Sequence, residues 1–93
     1  MHYNEERMEQ YWQHYCNNKI LWGHGVTLKR LEKVKSIIWK DGDFWDDILL
    51  RHSGFDKSPE EMKEYDIEVY NHCFGNFMTM VYQSLIEHKI IKL

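Results

Sequence analysis

The segment that begins at Ser58 constrains the fold more than any other part of this chain. Ser58-Pro59-Glu60-Glu61 places a capping residue, a proline at the first helical position and an acid at the third, which is the pattern of a capping box. Helical periodicity then continues to about His88, so a straight helix here would be about 43 Å long. A compact domain of this size is only about 30–35 Å across. We therefore predict that the helix either breaks, at Gly75-Asn76, or projects and is covered by a partner.

Apolar residues on this last segment occupy more than the single face that one core requires. One stripe contains Val69, Cys73 and Met80. A second stripe runs beside it with spacings i, i+4, i+7, i+8, i+11 and i+15, and consists of Tyr70, Phe74, Phe77, Met78, Val81 and Leu85. One stripe should face the core of the chain itself, and the other needs a cover. We predict that the six residues of the second stripe bind protein, either a second copy of the chain or a target.

Three further helices are predicted before this segment. They run over about Glu5–Asn17, over about Leu28–Trp39, and from a cap at Asp43 through His52. Side-chain oxygens just before the first two helices can accept hydrogen bonds from the first free amides. The pattern as a whole predicts an all-α fold, a small bundle of about four helices around a long C-terminal helix, with residues 1–93 forming a single domain.

Composition bounds the class of protein. The 93 residues include no alanine and one proline, whereas residues favoured by AT-rich codons are abundant, which is typical of an AT-rich genome. With 43% hydrophobic and 15% aromatic residues the chain has ample material for a core. A net charge of −3 argues against non-specific nucleic-acid binding, which needs a basic surface. No apolar run approaches the length of a membrane span, the polar start lacks the apolar core of a signal peptide, and two cysteines do not make a disulfide framework. We expect a reduced, cytoplasmic protein.

Histidine and cysteine are frequent for this length, but their spacing does not indicate a metal site. His14-Tyr15-Cys16 and His72-Cys73 are the close groupings, and neither has the spacing usual for zinc ligands. Residues one or two apart on a helix do not face each other. A composite site of His14, Cys16, His72 and Cys73 would need the first and last helices to meet at that level. We predict that the chain binds no metal and no cofactor.

The acidic segment from Asp41 to Asp47 is not a calcium-binding loop. Its fifth position is Trp45, its glycine is misplaced, and His52 stands where the loop needs a glutamate. A turn followed by a helix whose first residues are acidic explains this segment.

Catalysis and sequence-specific DNA binding also find little support. No serine lies in a nucleophile-elbow pattern, and His72 and Cys73 point about 100° apart on a helix, so they cannot form a dyad. The second and third predicted helices have the lengths of a helix-turn-helix, but the recognition helix would bring Asp46 and Asp47 to the phosphates. We predict that the chain is not an enzyme, and its charges favour a protein partner over nucleic acid.

Binding of another protein is the remaining function, and we predict a non-enzymatic interaction module. Aromatic residues and methionine are enriched in interface cores, and Trp22, Trp39 and Trp45 flank turns, where burial is hard to arrange. The small size, the AT-rich composition and the missing catalytic motif fit a phage or mobile-element protein that inhibits a host or defence protein. The expected partner is such a protein, or a second copy of the chain.

Two alternative functions stay open at this stage. One is a small-ligand or nucleotide-binding oligomer in which Tyr11, Trp12 and Trp22 stack on bases. The other is a helix-turn-helix DNA-binding regulator.

Overall fold

The fold is all-α, as predicted. The computed structural model describes residues 4–18 and 26–89, and no strand occurs within those ranges. The helices are α1 (Glu5–Cys16), α2 (Leu28–Trp39), α3 (Gly42–Trp45), a π-helical segment (Asp46–Arg51), α4 (Pro59–Tyr65) and α5 (Ile67–Glu87). In the described part of the chain, no helix combines the length and the apolar character needed to cross a membrane.

The helices begin where side-chain caps satisfy their first amides. Asn4 accepts hydrogen bonds from the amides of Glu6 and Arg7 at the start of α1. Thr27 accepts one from the amide of Arg30 at the start of α2. At α4 the capping box is complete, because the Ser58 amide donates to Glu61 Oε1 at 3.0 Å and the Glu61 amide donates to Ser58 Oγ at 3.2 Å. These local starts confirm the sequence prediction.

The third helix begins earlier than predicted. Its cap is Asp41 and not Asp43, because the backbone of Asp41 is extended and its carboxylate accepts a hydrogen bond from the amide of Phe44 at 3.0 Å. Trp45 is only 1% exposed and donates its indole N–H to the carbonyl of Ile38 at 3.1 Å. The expectation that turn-flanking tryptophans resist burial was therefore wrong for Trp45.

The long C-terminal segment breaks at Asp66, and the predicted break at Gly75-Asn76 was wrong. Asp66 has an extended backbone (φ −154°, ψ 97°), and its carboxylate accepts hydrogen bonds from the amides of Glu68 and Val69. A residue whose side chain replaces the lost helical bonds favours a new helix start. Gly75 keeps its backbone amide and costs a helix only about 1 kcal/mol relative to alanine, so α5 runs through it. α5 is about 32 Å long, and its buried residues run from Tyr70 to Leu85, so it does not project from the molecule.

The described part of the chain covers the second stripe of α5 itself. Tyr70, Phe74, Phe77, Val81 and Leu85 are each at most 6% exposed, and Met78 is partly buried against the same core. Aromatic rings of α1 supply much of the cover, with the Tyr15 ring 5.0 Å and the Trp12 ring 5.5 Å from that of Phe77, measured between centroids. The prediction that these six residues form an exposed binding surface was wrong for the five fully buried ones. The reason is that the rings of α1 pack on Tyr70, Phe74 and Phe77 while α2 and α4 also pack against α5, so α5 is the central helix.

The same packing excludes the proposed base-stacking role of two residues of α1. Tyr11 is 0% and Trp12 is 1% exposed, so neither ring can stack on a nucleotide in this fold. Their burial follows from the periodicity of α1, whose apolar face is its buried face. Trp22, the third residue of that alternative, lies outside the described residues.

Candidate functional site

A cluster of one carboxylate and two histidines joins the π-helical segment to α5. His52 Nε2 lies 3.5 Å from Asp47 Oδ1, and His72 Nε2 lies 3.4 Å from Asp47 Oδ2. The two imidazole rings meet edge to face with centroids 4.9 Å apart. We call these three residues the Asp47 cluster. In the described ranges, this is the group of three potential ligands in which one donor atom from each lies within 4.8 Å of the others.

The π-helical backbone brings Asp47 and His52 together. A π-helix pairs residues five apart, and the His52 amide donates to the Asp47 carbonyl at 3.2 Å. In an α-helix the facing neighbours are three and four apart, so these two side chains would diverge. The chain then leaves the π-helical segment through Ser53, whose φ of 60° is left-handed. Gly54 follows, where a Cβ would lie 2.6 Å from the Ile48 carbonyl oxygen, so only glycine fits this close approach.

Two further side chains bind the same carboxylate. The Arg51 guanidinium lies 3.2 Å from Asp47 Oδ1, and the Asn76 amide, one helical turn after His72, donates to Oδ2. The Asp47 side chain is 12% exposed, the His52 side chain 22% and the His72 side chain 53%. His52 Nε2 is buried and has no hydrogen-bond partner. The cluster is therefore a largely buried carboxylate that four side chains surround, with one histidine nitrogen left without a hydrogen bond.

A second cluster lies on the other side of the core, around His14. His14 Nδ1 is 3.2 Å from Glu60 Oε1, and His14 Nε2 is 2.6 Å from the Tyr70 hydroxyl. These residues border a polar cleft of about 580 Å³ between α1, α4 and α5. A hydrogen bond from its own backbone amide, together with the bond to His14, holds the pKa of Glu60 below its usual range. Both ring nitrogens of His14 have partners, so this His14 cluster acts as a clamp between three helices.

Neither cysteine contributes a reactive thiol to either cluster. Cys16 and Cys73 are buried, and burial raises the pKa of each thiol to about 12. A thiol of that pKa supplies almost no thiolate, which is the form that attacks electrophiles and binds metals. The composite site of His14, Cys16, His72 and Cys73 that the sequence suggested for testing does not form, because each histidine engages a different set of partners.

Four large apolar side chains are exposed in the segments that border one cavity. Leu50 is 59%, Phe55 60%, Tyr65 76% and Ile67 48% exposed. Each lies within two residues of the lining of a cavity of about 220 Å³ between the end of the π-helical segment and the α4–α5 junction. The Lys57 ammonium is 4.6 Å from the centre of the Tyr65 ring. We call Leu50, Phe55, Tyr65 and Ile67 the apolar end.

Sequence reasoning missed both the Asp47 cluster and the apolar end. The one available signal for the cluster was His52, the twelfth residue counted from Asp41. In the sequence, His52 stands out only as a departure from the calcium-loop pattern. The apolar end carries no signal in sequence, since its residue types are the same as those of the core. Comparison with models of protein families, with curated proteins and with solved structures finds no match to this chain.

Proposed function

We propose that this chain is a non-enzymatic module that binds another protein through its apolar end. The observation that carries the proposal is the exposure of Leu50, Phe55, Tyr65 and Ile67 in the segments that border one cavity, whereas most other aromatic residues of the described ranges are buried. Soluble monomers rarely expose contiguous apolar patches beyond a few hundred Å², and such patches mark interaction sites. Tyrosine is also among the residues that dominate binding energy at interfaces.

The partner we propose is a different protein and not a second copy. Obligate homodimers bury about 2,000 Å² or more of surface, which four side chains cannot supply. A small apolar centre surrounded by charge suits a non-obligate complex, in which a few anchors carry the energy. Arg51 and Lys57 border the apolar end, alongside Asp56, so the rim offers both signs of charge.

Composition supports the class of partner. The AT-rich residue usage and the small size are typical of phage or mobile-element proteins that act by occupying a surface of a host or defence protein. We accordingly place the partner among host proteins.

A pair of double variants tests the proposal. Phe55→Ser with Tyr65→Ser removes two anchors of the apolar end, while Leu28→Ser with Ile37→Ser removes two exposed apolar side chains from α2. We expect wild type and the α2 variant to capture the same partner from host cells, and the apolar-end variant to lose it. Cross-links from Lys57 to that partner should appear in the two binding proteins.

Two results would contradict the proposal. Equal capture by both double variants would mean that the apolar end is not the binding surface. If the wild type is a dimer in sizing experiments and the apolar-end variant is a monomer, the occupant of the apolar end is a second copy of the chain.

A further inference from the structure

We infer that Asp47, His52 and His72 form a binding site for a divalent transition-metal ion, with zinc as the best-fitting ion. The inference is independent of the proposed protein binding, which needs no metal. Two imidazole nitrogens and one carboxylate oxygen are ligands that zinc and its first-row neighbours accept, whereas calcium and magnesium prefer oxygen alone.

The distances from each histidine to the nearer carboxylate oxygen match the spacing of two ligands around one ion. Ligand bonds of about 2.0–2.2 Å at tetrahedral angles place neighbouring donor atoms about 3.3–3.6 Å apart. His52 Nε2 and His72 Nε2 lie 3.5 and 3.4 Å from the two carboxylate oxygens. Because all three donor atoms are within 4.8 Å of each other, small side-chain rotations bring them onto one ion.

The backbone pre-organises two of the ligands. The π-helical hydrogen bond from the His52 amide to the Asp47 carbonyl fixes these side chains one above the other. His52 Nε2 is buried without a hydrogen-bond partner, which is costly for a polar atom. An ion at this position removes that cost, and the half-exposed His72 leaves a path by which it enters.

Arg51 and Asn76 both contact Asp47, and their side chains must move when an ion binds there. Arg51 competes with the ion for Asp47 Oδ1, but its side chain is 75% exposed and is free to turn into solvent. Asn76 lies 3.4 Å from His72 Nε2, and rotation of its amide presents an oxygen as a fourth ligand. Three protein ligands plus a fourth position that Asn76 or a water molecule fills complete the four-coordinate geometry usual for zinc.

The test is metal binding by the chelator-stripped full chain, with zinc chloride and cobalt chloride as probes. We expect one zinc ion per chain by titration calorimetry and a higher melting temperature with zinc. Cobalt should give a visible spectrum without the thiolate charge-transfer band, because the ligands contain no cysteine.

Three variants sharpen the test. His52→Gln with His72→Gln should weaken zinc binding by more than about 100-fold, beyond the 10–100-fold loss seen for residues that only orient a ligand. His88→Gln changes an exposed histidine outside the cluster and should leave affinity unchanged. Arg51→Ala should tighten binding several-fold, because it removes the competing cation from Asp47.

Circular dichroism separates misfolding from ligand loss, and the single variant His72→Gln, at a half-exposed position, gives a second reading of the same ligand. Zinc binding that persists in the double variant, for example through His2 or His24, would overturn the inference. So would the absence of any zinc binding by the wild type.

Discussion

His14 and His72 each lie on a helix within two residues of a buried cysteine, but their surroundings differ. His14 gives one nitrogen to Glu60 and the other to the hydroxyl of Tyr70, so its two nitrogens have different partners on α4 and α5. His72 shares the carboxylate of Asp47 with His52, and that carboxylate also serves Arg51 and Asn76. The His14 cluster is satisfied, and the Asp47 cluster is crowded.

The difference teaches how to separate a structural histidine from a ligand. When donors and acceptors pair one to one, the hydrogen bonds themselves account for the position of the ring. When two histidines and a carboxylate converge and a buried ring nitrogen has no hydrogen bond, that nitrogen is available as a ligand for an ion. The experiments below test that contrast.

The largest effect is expected at His14. His14→Ala removes two hydrogen bonds, one to the carboxylate of Glu60 and one to the hydroxyl of Tyr70, and should lower the free energy of unfolding by about 1–3 kcal/mol. His72→Ala, at a half-exposed site, should change it by no more than about 0.5 kcal/mol in metal-free buffer. Urea unfolding of both variants measures the contrast. Equal losses would mean that both clusters are structural.

A smaller effect is expected at the cap that positions Glu60. Ser58→Ala removes the oxygen that accepts the Glu61 amide and should cost about 1 kcal/mol. For a domain of this size that corresponds to a melting temperature lower by about 4–8 °C. Ser36→Ala, on the exposed face of α2, is the matched control and should show no loss. An unchanged melting temperature for Ser58→Ala would show that the start of α4 does not support the His14 cluster.

The smallest effect at neutral pH concerns the two thiols that lie beside the clusters. Burial raises the pKa of Cys16 and of Cys73 from 9 to about 12. A folded-state pKa above the unfolded value contributes stability that is complete below pH 9 and is lost as the pH rises toward 12. Burial also raises the pKa of Tyr11 and of Tyr15, which act in the same direction.

We expect both thiols to resist a disulfide reagent at pH 8 until the chain unfolds. The melting temperature should stay level up to about pH 9 and fall above it. Rapid modification of the folded chain would mean that a thiol is accessible, and it would reopen the question of cysteine ligands at the Asp47 cluster.

Local interactions explain what the sequence predicted correctly. The caps at Asn4, Thr27 and Ser58 bond to amides two or three residues away, so their pattern is visible in the order of the residues. The buried face of α1 follows from periodicity alone. The break at Asp66 was missed because an aspartate that caps a helix and one on a solvated helical face look the same in sequence, whereas glycine is the more familiar breaker.

What the sequence by itself determined is the class of the fold and where most helices begin, because backbone amides near a helix start have only local partners to choose from. Tertiary structure decided which stripe of α5 is covered, since the rings of α1 that pack on Phe77 come from more than sixty residues earlier. It also decided the Asp47 cluster, which needs a π-helical turn and a histidine 25 positions after Asp47. Neither the π-helical hydrogen bonding nor the approach of two helices distant in sequence produces a periodic pattern in the amino-acid sequence.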